Sequence, residues 1–271
     1  MEENSLEARL RAAGAGMRAS ERRVAELMVR LAAELPELGI GEVAERAGVS
    51  PSTVVRACQA LGYAGFQGVR LAAARARPRP AAPDGHLATA AQVARAAVDA
   101  LGATVDEAAV QAVAGALAGA RRVLVSGAGL SWPVAQDAGL RLSAIGVDAV
   151  APADPLAAGV LARRFGPEDA CLLVSHTGGT RSVVDAARAA RERGVTVVAL
   201  VGFRATPLAG HADHVLVTGG HDPAFRLEST ASRVGQFVVF DAVCLALIDR
   251  LGERAREALD AFAATSAEAA W

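Results

Sequence analysis

The sequence predicts two domains in series, an all-α one followed by an α/β one whose parallel sheet is flanked by helices. Three observations carry this. A proline-rich break lies near residue 80, the pattern before it is helical throughout, and β-branched runs alternate with helical stretches after it. The expected division is 1–77, a linker at 78–85, and 86–271. A chain of 271 residues can give each domain its own core. Hydrophobic residues make up 52% but aromatics only 4%, so those cores must be built from Ala, Val and Leu, which suits helices laid on a parallel sheet.

Composition also excludes several classes. No uninterrupted apolar run reaches the roughly 18 residues that span a bilayer, and the opening MEENSLEARL is no signal sequence. A cytoplasmic protein with no membrane partner is expected. Cys58, Cys171 and Cys244 are far apart and lack CxxC spacing, so they read as small core residues in a reducing compartment. The net charge of −1 argues against indiscriminate coating of nucleic acid, although the distribution of charge matters more than its sum. The chain has no lysine, so every cationic contact to a phosphate must come from arginine.

Within the first domain, residues 40–61 carry the clearest local signal. A first helix buries Val43, Ala44 and Ala47, Ala44 being small enough for a second helix to cross closely. Gly48 supplies the positive φ of a tight turn. Val49 plugs the turn, Ser50 stands at the N-cap of the next helix, and Pro51 occupies the first helical position, where its missing N–H costs nothing. The second helix turns Val54, Ala57 and Leu61 inward and places Ser52, Thr53, Arg56 and Gln59 on the other side. Such a face suits the major groove: Arg pairs with guanine, Gln with adenine, and hydroxyls near the helix start reach bases or phosphates. From residue 38 to 77 five Arg stand against two Glu. The expected DNA-binding residues are Ser50, Ser52, Thr53, Arg56 and Gln59.

The linker is marked by Arg77-Pro-Arg-Pro-Ala-Ala-Pro-Asp-Gly85, which cannot continue a helix. Helical stretches at 86–101 and 106–119 lead into four β-branched runs, Val123–Val125, Cys171–Val174, Val195–Val201 and Val215–Val217, with a weaker one at Val147–Val150. Helical patterns at 132–145, 181–193 and 229–250 fall between and after them. This alternation gives a three-layer sheet of the flavodoxin or Rossmann kind.

Two strand-to-helix junctions carry the chemistry of this domain, Ser126-Gly-Ala-Gly-Leu-Ser131 and Ser175-His-Thr-Gly-Gly-Thr180. Small and hydroxyl-bearing residues meet helix N-termini there, where backbone N–H groups and the helix dipole favour an anion. The first junction is no dinucleotide fingerprint, because Trp132 stands in the place of the third glycine. No Walker lysine is present, and no cofactor is expected.

These motifs also carry a resemblance. Ser20-Glu-Arg-Arg-Val-Ala-Glu-Leu, Ala44-Glu-Arg-Ala-Gly-Val-Ser, Ser52-Thr-Val-Val-Arg56 and Leu61-Gly-Tyr-Ala-Gly-Phe-Gln-Gly-Val-Arg70 resemble the N-terminal domain of RpiR-type bacterial transcriptional regulators, over about residues 6–75. Ala57 departs from the family's usual Phe. The two junctions, with Val134-Ala-Gln-Asp137, Gly194-Val-Thr-Val-Val-Ala-Leu200, Ala212-Asp213 and Arg226-Leu-Glu-Ser-Thr-Ala-Ser-Arg233, resemble the sugar isomerase (SIS) domain over about residues 105–250. The resemblance implies that Ser131, Ser175, Thr177 and Thr180, with Gly178 and Gly179, hold the phosphate of a sugar. It implies that Glu228 lies near the sugar, and that such domains pair into a homodimer or homotetramer.

His211, Asp213 and His214 have spacing that a metal could use, but they precede a strand where the family carries its Ala-Asp pair, so no metal is expected. The combined expectation is a regulator that binds operator DNA and a phosphorylated sugar effector and has no enzymatic activity. The alternative is a sugar-phosphate isomerase or lyase with an accessory DNA-binding head. No second acid–base partner for such a reaction is visible beside Glu228.

Overall fold

The computed structural model describes residues 6–13, 16–36, 38–76, 85–219 and 230–268. Of the expected linker, only Gly85 falls among them. The chain forms two compact units, one holding the first five helices and the other the sheet with its helices.

The first unit runs α1 (Leu6–Ala13), α2 (Ala19–Arg30), α3 (Ile40–Ala47), α4 (Pro51–Ala60) and α5 (Phe66–Ala76). Its core gathers Val24, Ala25 and Met28 from α2, Val43 and Ala44 from α3, Val54 and Ala57 from α4, Leu61, and Val69. The inward residues read from the sequence are therefore where periodicity put them. Ala47 is only partly buried and packs against the same cluster. The turn between α3 and α4 closes as expected: Gly48 has φ 66, and the Val49 N–H donates to Ala44 O at 2.9 Å.

One arginine behaves against expectation. Arg70 is 1% exposed, and its Nε and Nη2 both donate to Pro36 O, at 3.2 and 2.7 Å. A guanidinium taken from water is tolerated only when its donors are satisfied in this way. Arg70 thus adds nothing to the surface charge counted for this region.

The helix α6 (His86–Asp99) begins in the first unit and ends in the second, which continues with α7 (Glu107–Gly119), β1 (Val123–Gly127), α8 (Trp132–Ala144), β2 (Ala149–Val150), α9 (Pro155–Arg164), β3 (Ala170–Ser175), α10 (Arg181–Glu192), β4 (Thr196–Val201), β5 (His214–Val217), α11 (Thr230–Leu251) and α12 (Glu253–Glu268). The strands are all parallel, in the order β2-β1-β3-β4-β5. One face of the sheet packs under α7, α8 and α11 through Val125, Leu172, Leu200, Leu142 and Leu247. The other packs under α9 and α10 through Leu124, Leu173, Val201, Ala162 and Ala187. Alternate residues of each strand serve opposite faces.

The sequence reading missed α9. Pro155-Leu-Ala-Ala-Gly-Val-Leu-Ala-Arg-Arg carries few large apolar residues, so its periodicity is faint, although Asp154 caps it by accepting from the Leu156 N–H at 2.9 Å. α11 is long and apolar enough to cross a membrane by length and composition. Its Val239, Phe240, Val243 and Leu247 instead lie within the core.

Asp169, in the turn before β3, ties the start of the sheet together. Its fully buried carboxylate accepts from Arg121 and Arg122 at 3.0–3.3 Å and from the Gly166 N–H at 2.9 Å. Burial would raise its pKa. The hydrogen bonds from Arg122, Gly166 and Arg121 outweigh that and bring it from 3.8 down to about 2. A carboxylate depressed in the folded state stabilises above its unfolded pKa, and that stability is lost as pH falls towards the folded value. Asp169→Asn is therefore expected to lower the unfolding free energy at pH 7 by about 2 kcal/mol, a figure that allows for the partial exposure of both arginines. It should also flatten the loss of stability between pH 4 and pH 2. Urea denaturation across that range checks both.

Cys58, Cys171 and Cys244 are free and buried. Burial pushes their thiols up to about 12, 12 and 11, as expected of core residues.

Candidate functional site

In the first unit, the solvent side of α4 carries exposed Ser52 and Gln59 and the Arg56 side chain, 49% exposed. Ser50 stands at the N-cap with extended backbone, but its side chain does not cap the helix. Its Oγ instead pairs with Ser52 Oγ at 2.9 Å and Thr53 Oγ1 at 3.1 Å. Thr53 departs from the expected outward face. It is 7% exposed, because its position falls on the flank of α4 that turns inward with Val54 and Ala57. Its Oγ1 accepts from Arg56 Nη2 at 2.9 Å.

Arg56 has a second partner that the sequence reading missed. Glu21, in the first turn of α2, places Oε1 3.6 Å from Arg56 Nε, and its Oε2 accepts from the Arg18 N–H at 3.2 Å. Glu21 and Arg56 are 35 positions apart in the sequence, so only tertiary packing brings them together.

In the second unit, the two hydroxyl-rich junctions follow β1 and β3, strands that are hydrogen-bonded neighbours. The chain runs from β1 to β2 on one side and from β3 to β4 on the other. The carboxyl ends of β1 and β3 therefore form a topological switch point, where ligands of open parallel sheets bind. Ser131 is 4% exposed and Ser175 1% exposed, while Thr177 and Thr180 are half-buried.

Hydrogen bonds draw the two loops together. Ser175 Oγ and Thr180 Oγ1 are 3.1 Å apart. The His176 N–H reaches Ser131 Oγ at 3.3 Å, and the Gly179 N–H reaches Thr177 Oγ1, also at 3.3 Å. The second loop is anchored where Leu208 N–H donates to Gly178 O at 2.9 Å. Gly178 is buried and Gly179 exposed. Behind the first loop, Gly127 has no room for a side chain, since a Cβ there would lie 2.7 Å from Ser131 O. At the opening of α10, the first backbone N–H groups have no acceptor inside the helix. Ser131, Ser175, Thr177, Gly178, Gly179 and Thr180 are thus brought together as an uncharged cradle whose donors suit a phosphate dianion.

Glu228 lies outside the described residues. His176, 3% exposed, fills the space over Gly202, where a Cβ would stand 2.5 Å from its ring. Arg233 joins the arrangement from α11, donating from Nε to Leu130 O at 3.0 Å. It closes the Arg226–Arg233 motif. Gln236, on the same helix, is fully buried, and neither of its amide atoms has a hydrogen-bond partner among the described residues. Asp213 serves structure, its Oδ2 accepting from the Val197 N–H at 2.8 Å. Among the described residues no three His, Cys, Asp or Glu gather in a way that suits a metal.

Comparison with known proteins supplies independent findings. Residues 4–77 match the family described as helix-turn-helix domain, rpiR family, and residues 116–246 match the SIS domain. The chain is similar to the uncharacterised HTH-type transcriptional regulator YfhH of Escherichia coli, 29% identical over 264 residues, which cover 92% of this chain and 94% of that protein. It is also similar to an uncharacterised HTH-type transcriptional regulator of Caldanaerobacter subterraneus, 27% identical over 233 residues, 82% and 83% of the two chains. Among solved structures, the NanR protein of Vibrio vulnificus, complexed with ManNAc-6P, matches with a TM-score of 0.82 and 25% identity, over 98% of this chain and 99% of that one.

Proposed function

This chain belongs to the rpiR family of helix-turn-helix transcriptional regulators that carry a SIS domain, and we propose that it regulates transcription in response to a phosphorylated sugar held between the β1 and β3 loops. One observation carries the effector reading: Ser131, Ser175 and Thr180 meet at the switch point of the sheet. The complex of the similar NanR with ManNAc-6P supports it. A lysine-free site of hydroxyls and backbone N–H groups holds a phosphate through charge-assisted hydrogen bonds.

The remaining parts follow from the same reading. The protein works in the cytoplasm as a homodimer or homotetramer, and Ser52, Arg56 and Gln59 face operator DNA, with Ser50 and Thr53 at the start of the reading helix. Ser131, Ser175, Thr177 and Thr180, with Gly178 and Gly179, bind the phosphate, and Glu228 lies towards the sugar. The SIS domain senses its ligand without transforming it. The effector changes operator affinity only by the ratio of its own affinities for the DNA-bound and free protein.

Thermal shift with ManNAc-6P, other hexose phosphates, unphosphorylated sugars and inorganic phosphate tests the proposal. A phosphosugar at about 100 times its Kd stabilises by about 2.7 kcal/mol, which should raise the Tm by about 5–10 °C. Thr177→Val keeps the shape and removes the hydroxyl, and is expected to weaken that binding by about 1.5–3 kcal/mol while sparing DNA binding. If no phosphate ester raises the Tm, the effector reading fails. Sustained turnover of any hexose phosphate would make the protein an enzyme instead.

A further inference from the structure

Glu21 is an acidic side chain where a DNA-reading surface has no evident use for one. It stands beside the residue on α4 best suited to read a base. Its side chain is only 11% exposed, and burying a carboxylate is costly unless it is paired and hydrogen-bonded. Its two oxygens divide the work. Oε2 accepts from the Arg18 N–H, satisfying a backbone donor at the start of α2, where the helix dipole also favours a negative charge. Oε1 faces Arg56 Nε.

Arg56 is therefore held at two points, by Glu21 through Nε and by Thr53 Oγ1 through Nη2. An arginine has five N–H donors in a rigid fork. Two held positions still leave Nη1 and one N–H of Nη2 for a bidentate contact to guanine. A free arginine loses rotamer entropy when it is fixed, and here much of that ordering is present before DNA arrives.

We propose that Glu21 is a positioning residue for operator recognition, acting through Arg56 to hold its guanidinium in the geometry that reads a base. The inference rests on Arg56 reading a base, and goes beyond it by assigning sequence discrimination to a residue on a different helix that need not touch DNA. Held and neutralised by Arg56, the carboxylate does not repel phosphates.

The test uses the full-length protein and two duplexes: one selected by the wild-type protein from a random-sequence pool, and a scrambled duplex of the same length. The quantity read is the ratio of the two affinities in wild type, Glu21→Gln, Arg56→Ala and the double variant, with the Tm of each. Glu21→Gln keeps an acceptor for the Arg18 N–H and removes the charge facing Arg56. It is expected to lower the ratio about threefold to tenfold with little change in Tm. Arg56→Ala should lower the ratio about tenfold or more, and the double variant should be no worse than Arg56→Ala, because both act on one contact. If Glu21→Gln lowers the Tm but keeps the ratio, or if the losses multiply in the double variant, Glu21 does not act through Arg56. If Arg56→Ala itself leaves the ratio unchanged, the base-reading assignment falls first and the positioning role with it.

Discussion

In the Gly127→Ala variant, affinity for a phosphosugar is expected to fall by about 100-fold or more, with a lowered Tm and operator binding retained. The added Cβ would lie 2.7 Å from Ser131 O, 3.1 Å from Ser131 C and 3.2 Å from the Ala135 Cβ. The nearest two atoms are backbone, so no side chain can swing aside, and the first loop and the start of α8 must move outward. Overpacking of this kind costs about 1–3 kcal/mol. The displaced Ser131 also loses its place against the His176 N–H, and a charge-assisted hydrogen bond to phosphate is worth about 1.5–3 kcal/mol. Gly119→Ala, at the end of α7 and outside the cradle, is the matched control. A Cβ there meets no described atom within 4 Å, so that variant should bind nearly as the wild type does. Titration calorimetry of the two variants settles the matter: equal affinities would mean that the close packing behind the first loop is not what shapes the cradle.

The second large effect is expected in DNA binding. Arg56→Ala should weaken binding to the selected operator by about 1–3 kcal/mol and relax base preference at one position of each half-site. Because a base contact is removed, binding to unrelated DNA and the slope of affinity against salt should change far less. If instead both duplexes are lost equally and the salt slope falls, Arg56 holds a phosphate. Unchanged binding would leave Arg56 as a tie between α2 and α4.

The physical reasons behind these expectations were unevenly visible in the sequence. The tight turn at Gly48, the inward set Val43, Ala44, Val54, Ala57 and Leu61, and the four main strands were legible because each is a local pattern of size or periodicity. The cradle was legible for the same reason, since hydroxyls and glycines cluster at two strand ends. What escaped notice was whatever depends on distant partners or faint amphipathicity. Glu21 meets Arg56 only after α2 and α4 pack, and Arg121 and Arg122 meet Asp169 only once the sheet forms. Thr53 lies near the edge between the two faces of α4, where spacing alone does not say which way a side chain goes. The helix α9 is small-residue rich, and its periodicity gives little signal. In the sequence Gln236 is one of several polar residues on a mostly apolar helix, and only its burial sets it apart.

The buried cysteines have a practical meaning. With thiols at Cys58, Cys171 and Cys244 enclosed and raised to about 12, 12 and 11, the native chain offers almost no thiolate to alkylating dyes or mild oxidants near neutral pH. The folded protein is therefore expected to react slowly with maleimides, and a single cysteine introduced at an exposed site, such as Arg23 on α2 or Glu257 on α12, should take a label well ahead of the three native ones. Spectroscopic reporters can be placed on either unit without first removing any residue that the cores depend on.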